Sequence, residues 1–325
     1  MLVVSGQSIN ELYASGLGVI AAHGLLEKTR NGPAYVAPTP VVTKWYDPTK
    51  RVLVDIRRRC NHAFHLNEAI WMLRGESYAI PLDTFVHDFS SRFAEPNGHI
   101  HGAYGDRWRK AFGIDQIKLV ITILRTEPTS RQAVIQMWSA DLDLGAKVKD
   151  KPCNTQLYFR LHDNSLDMTI CNRSNDIIWG LYGANSVHFS ILHEYIASQI
   201  DARVGTMYTF SNNFHAYKDV FDKLYDGKGG GQWYQHGEGI PLVNESPALF
   251  FTDVQNWDYG ITTTGFKTRW FNEVAIPVTK TYLYRQWKNY PEMDSWLGRI
   301  ADQNWYAGMR QWCRRGDEDG RQTEI

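Results

Sequence analysis

Apolar and polar residues alternate from Gln156 to Leu161 (Leu157, Phe159, Leu161) and again from Leu166 to Ile170 (Leu166, Met168, Ile170). Asp163, Asn164 and Ser165 lie between the two runs, so the pattern predicts a half-buried β-hairpin. Leu166, Met168 and Ile170 then share one face of the second strand, and Asp167, Thr169, Cys171 and Arg173 the other. A helical period over 186–200 (Val187, Ile191, Leu192, Tyr195, Ile196, Ile200) predicts a helix packed on the core. Ser8 to Glu11 reads as a capping box opening an N-terminal helix that fades near Gly24. Further helices are expected over 66–73, ended by Gly75, and over 115–124, stopped before Pro128. Segment 34–56 reads as strand, broken at Asp47-Pro48, and 133–138 as another strand. The glycine tract at 227–231 lacks a phosphate-loop pattern and reads as a surface loop. With no internal repeat or low-complexity linker, the expectation is one α+β domain over 1–325.

Hydrophobic residues at 43% and aromatics at 13% supply ample core for that domain. Acidic and basic residues balance at 35 each, which argues against a nucleic-acid groove or an anionic membrane surface as the main partner. A single nucleotide needs only a few local arginines. The four cysteines (Cys60, Cys153, Cys171, Cys313) show neither C-x-x-C pairing nor metal-ligand spacing, so no metal is expected. No apolar run approaches a membrane span and no signal peptide is evident, so the expected compartment is the cytoplasm.

One cysteine stands apart. Pro152-Cys153 precedes the cluster Arg173, Ser174 and Asp176 by twenty positions, and a Gly-rich turn then leads to Asn185. That set suits a thiolate nucleophile, an arginine for a phosphate and an amide that reads a pyrimidine edge. The plainer reading of Cys153 is a small buried hydrophobe. Glu68, on an otherwise apolar stretch, is harder to dismiss, because a buried carboxylate is costly unless paired or functional. His23, His62, His65, His188 and His193 read as structural or surface residues.

The order of these features resembles the thymidylate synthase superfamily, which includes phage-type nucleotide hydroxymethylases. The resemblance runs from about Arg30 to Tyr217 and implies that family's mixed β-sheet covered by helices, dimerising through the sheet. The stretch 67–77 is similar to the family's Glu-x-x-Trp-x-x-x-Gly helix, which implies Glu68 as catalytic carboxylate and Trp71 at the folate pocket. The Tyr-Gly-x-x-Trp-Arg match at 104–109 makes Tyr104 the candidate for proton removal at carbon 5. Arg30, in a mobile loop, Arg173 and Ser174 are implied phosphate ligands, and Arg131 is implied to reach the partner's phosphate across the dimer; the family's second arginine there is Gln132. Asn185 would read the base, His215 and Tyr217 would hold the sugar, and Asp176 and Trp179 would face the folate, with Cys153, Asp176 and Asn185 in the catalytic set. The implied co-substrate is 5,10-methylenetetrahydrofolate.

Departures from the family pattern cluster around the cofactor and base. Asn154 follows the cysteine where the methylating enzymes have His, Asn172 stands where they have Gln, Trp179 where they have Leu, and the turn 180–185 is one residue longer. These resemble the nucleotide hydroxymethylases; the family's shared chemistry implies that Cys153 adds to carbon 6 of the pyrimidine, and Asn185 favours dUMP, with dCMP or CMP next. Water rather than hydride would then complete the product, depending on whether the site positions water. The alternatives are an ordinary thymidylate synthase and an inactive nucleotide- or RNA-binding relative.

Overall fold

Ser8 caps the first helix, Ile9–His23, its hydroxyl accepting from the Glu11 N–H at 3.4 Å. Glu11 returns its carboxylate to the Gln7 N–H at 2.9 Å, one residue outside the predicted box. The computed structural model describes residues 1–225, 234–237 and 239–314; the glycine tract at 227–231 lies outside them.

Among the described residues, ten strands form two sheets. The larger has the order β1 (Leu2–Gly6), β4 (Val41–Trp45), β9 (Arg203–Ser211), β7 (Ser165–Asn172), β6 (Asn154–His162), β5 (Val134–Gln136). Its β1–β4 and β7–β9 pairs are parallel and the rest antiparallel, so the sheet is mixed. The smaller has the order β2 (Leu25–Thr29), β3 (Gly32–Val36), β10 (Phe214–Tyr217), β8 (Asn175–Asp176). The predicted hairpin is β6–β7. Asp163 and Asn164 at its tip have φ of 47° and 54°, the left-handed pair that a two-residue turn needs.

Leu166, Met168 and Ile170 are buried, as the alternation requires, and the helix Asn185–Gln199 lies over them. The helix His62–Leu73 packs against that one and begins earlier than expected, capped by Asn61, whose side chain accepts from the Phe64 N–H at 3.0 Å. Its other flank meets the C-terminal helices. Asn67 donates to Thr279 Oγ1 and accepts from the Trp257 indole N–H, both at 2.9 Å, which fixes the turn that carries Glu68.

One expectation fails. Residues 46–56 are not a strand. Val52 and Leu53 are buried, but nearby backbone groups pair with side chains: Asn10 donates to the Val52 carbonyl (3.4 Å) and accepts from the Val54 N–H (2.9 Å). An asparagine reaching from the first helix replaces a neighbouring strand, so buried apolar residues here imply no ladder.

Candidate active site

Cys153 sits half-buried at the entrance to β6, and Arg173 follows β7. Asn154 is in register with Asn172, so the hairpin brings the two residues together across twenty positions of chain. The Arg173 N–H donates to the Cys153 carbonyl (3.0 Å), its Nε to the Pro152 carbonyl (3.0 Å) and one terminal nitrogen to the Lys151 carbonyl (3.2 Å). The guanidinium also lies over the Trp138 ring at 5.6 Å. Arg173 itself is exposed, positioned to offer its remaining hydrogens to an anion.

Burial pushes the Cys153 thiol above its ordinary range; Arg173 and Arg30 pull it down, while Asp150 and Asp176 push it further up. Arg173 therefore assists the thiolate without outweighing desolvation. Asp150 drew no notice in the sequence because a carboxylate three residues before a cysteine has no spacing signature. Burial and the Glu68 charge raise its pKa from 3.8 to about 6 against the pull of Arg173. Tyr104 accepts from the Asn154 N–H at 3.4 Å; burial, Cys153 and Asp150 hold it well above its usual range, so it is a neutral phenol.

Glu68 lies with its Oε2 3.0 Å from His188 Nε2, their side chains 11% and 2% exposed. The structure thus pairs a histidine that reads as structural with the candidate catalytic carboxylate. Asn185 opens the helix that carries His188, after a wide π-type turn over Ile177–Ala184 that absorbs the additional loop residue, with Gly183 as its kink. A Cβ on Gly180 would come within 3.2 Å of Asn185 Nδ2, so the glycine leaves the amide room. Beneath it, Asn172, Asn185, Ser186, Thr43 and Thr209 help to line a cavity of about 10 Å³, close to the volume one water needs.

Asp176 heads this turn, accepting from the Ile178 N–H (2.7 Å) and the Trp179 N–H (3.0 Å). Burial raises its carboxyl, and the same burial lowers His215, which sits in register with it across β8 and β10. Tyr217 follows on β10 and accepts from the Asn31 amide at 3.2 Å, which ties the Arg30–Asn31 hairpin tip to β10. Trp179 is 37% exposed and carries the Arg58 guanidinium 4.1 Å from its ring centre. Trp71 differs: it is buried, with its indole N–H donated to the Tyr78 carbonyl at 2.9 Å. Ser174 is half-buried just beyond Arg173.

Arg131 does not join this set. It is exposed in the bend before β5, and the groups acting on the Cys153 thiol are Arg173, Arg30, Asp150 and Asp176.

A family model described as thymidylate synthase matches residues 11–227. The chain belongs to the thymidylate synthase family. Among this family's members, it is 35% identical to the deoxyuridylate hydroxymethyltransferase of Pseudomonas phage M6, over 97% of this chain and 94% of the relative. It is 29% identical to the protein of the same name from Bacillus phage SP01, over 68% of this chain and 60% of the relative. The thymidylate synthase of Buchnera aphidicola subsp. Acyrthosiphon pisum (strain Tuc7) is also 29% identical, over 50% of this chain and 62% of the relative. The α+β fold and mixed sheet are those expected of the family. No helix among the described residues is long and apolar enough to cross a membrane.

Proposed function

We propose that this chain is a folate-dependent 5-hydroxymethyltransferase acting on a pyrimidine nucleoside monophosphate, with dUMP preferred, as one catalytic unit over 1–325. The observation that carries the reading is the buried Glu68–His188 pair at 3.0 Å, with the Glu68 charge acting on the Asp150 carboxyl, which in turn acts on the Cys153 thiol. Similarity to a phage deoxyuridylate hydroxymethyltransferase over nearly the whole chain supports it.

Cys153 adds to carbon 6 of the base, and carbon 5 becomes nucleophilic. Glu68 manages the proton at the ring through water, and Tyr104, a neutral phenol beside the cysteine, helps proton removal at carbon 5 by hydrogen-bonding the water that takes the proton. Arg30, Arg173 and Ser174 take the phosphate, and His215 and Tyr217 the sugar. Asn185 reads the base with a carboxamide that accepts from nitrogen 3 of uracil and donates to oxygen 4. The co-substrate 5,10-methylenetetrahydrofolate supplies the one-carbon unit when bound. The exposed Trp179 face and the raised Asp176 carboxyl fit its ring, flat surface and polar edge respectively.

A second copy completes the site. A phosphate dianion favours several charge-assisted bonds, and the exposed Arg131 fits the partner's phosphate across a sheet-to-sheet dimer. The named hydroxymethyltransferase relatives are phage proteins, which supports activity in a host cytoplasm.

The test is mass spectrometry of the product from dUMP, dCMP and CMP with methylenetetrahydrofolate. A 5-hydroxymethyl nucleotide with tetrahydrofolate released is expected. Stoichiometric dihydrofolate with dTMP would establish a thymidylate synthase instead.

A further inference from the structure

Two ionisable side chains from different helices meet beside Asn185. His188 Nε2 lies 3.0 Å from Glu68 Oε2, and both side chains are shielded from solvent. His188 follows Asn185 by three residues on the helix Asn185–Gln199, so the two project from one face. Neither His188 ring nitrogen completes a hydrogen bond of full geometry among the described residues. A buried imidazole left so poorly satisfied calls for an explanation. His193, one turn further along, is different: its Nε2 lies 2.6 Å from the Leu166 carbonyl, a structural contact.

The neighbouring groups are less suited to the role. Asn154 spends its amide hydrogens on the Cys171 carbonyl (2.9 Å) and Asn172 Oδ1 (3.1 Å), within the sheet. Tyr104 is held as a neutral phenol. The Glu68–His188 pair therefore combines an acceptor for a proton with a second group that can hydrogen-bond it.

We propose that His188 is the positioning partner of Glu68, orienting the carboxylate and sharing the proton it takes from the attacking water; this rests on the functional reading above. In that step the water oxygen bonds to the methylene carbon attached at carbon 5. The methylene π pair shifts into the ring, the carbon 5–carbon 6 double bond re-forms, and the carbon 6–sulfur bond breaks with its electron pair left on Cys153. The water proton passes to Glu68, hydrogen-bonded by His188. One water is consumed, and a thiolate and a protonated Glu68 remain. Asn185 holds the base one turn away on the same helix, so the helix sets the distance between base and proton acceptor.

His188→Gln keeps a hydrogen-bond donor and most of the volume but cannot share a proton. Its kcat should fall by about tenfold or more while the nucleotide KM stays within about threefold. Its urea midpoint and the rate of Cys153 alkylation should match the wild type. In the wild type without folate, the ring 15N resonances of His188 should move when dUMP binds. Turnover by His188→Gln within about twofold of wild type would overturn the role, as would imidazole resonances indifferent to dUMP should the variant fail to fold. A wild type that makes no 5-hydroxymethyl nucleotide would sink the functional reading itself, a result separable from either of these.

Discussion

Asp150 places an ionisation inside the site that should be visible in stability. Its carboxyl titrates at about 6 in the folded chain, against 3.8 ordinarily, because burial and Glu68 outweigh the attraction of Arg173. The folded state thus keeps a proton that the unfolded chain releases between pH 3.8 and about 6. Stability must fall as pH rises through that window and level off above it. Two pKa units correspond to about 3 kcal/mol, and partial exposure with solvent screening reduces this to about 1–2 kcal/mol. Asp150→Asn cannot ionise, so urea unfolding of both proteins across the window isolates the effect. The variant should gain stability relative to wild type as pH rises, reaching about 1–2 kcal/mol near pH 7, while losing turnover. A stability difference that stays flat with pH, or grows in the opposite direction, would refute the argument.

Cys153→Ser should lower kcat by about a thousandfold or more while the calorimetric affinity for dUMP changes little, since the phosphate and base contacts remain. Asn185→Asp should move preference from dUMP toward dCMP by roughly five- to 150-fold in the ratio of kcat/KM, the range for leaving one buried polar group unpaired; a wild type already preferring dCMP would show that Asn185 does not read the base. Asp143 is fully buried, accepting from two Arg107 nitrogens (2.7 and 2.8 Å) and lying 2.8 Å from His101 Nε2, so Asp143→Ala should cost about 3–5 kcal/mol in urea unfolding. Arg131→Ala and Cys153→Ser should each be inactive alone yet recover activity when mixed as heterodimers; a fully active monomer in sedimentation would exclude the shared site.

The hairpin that unites Cys153 with Arg173 was legible because strand alternation has a period of two and its turn residues tolerate positive φ. The Asn185 helix was legible for the same kind of reason, its apolar stripe. His188 was not, since its importance comes from a helix more than a hundred positions away packing Glu68 against it, and no local pattern encodes that contact. Segment 46–56 misled because apolar residues signal burial but not what the backbone bonds to, and here Asn10 supplied the partner. Asp150 was not legible because its raised carboxyl comes from burial and the Glu68 charge, both supplied by the fold, against the opposing pull of Arg173, His101 and Arg107.

The family match ends at residue 227, yet the turn carrying Glu68 is gripped by Thr279 and Trp257 through Asn67. The packing of the helix that carries Glu68 thus depends on the segment beyond the family match. Gene chimeras that join the first two-thirds of this chain to the tail of a relative should work only where the donor tail presents a hydroxyl and an indole at those two places, or where residue 67 is exchanged along with it.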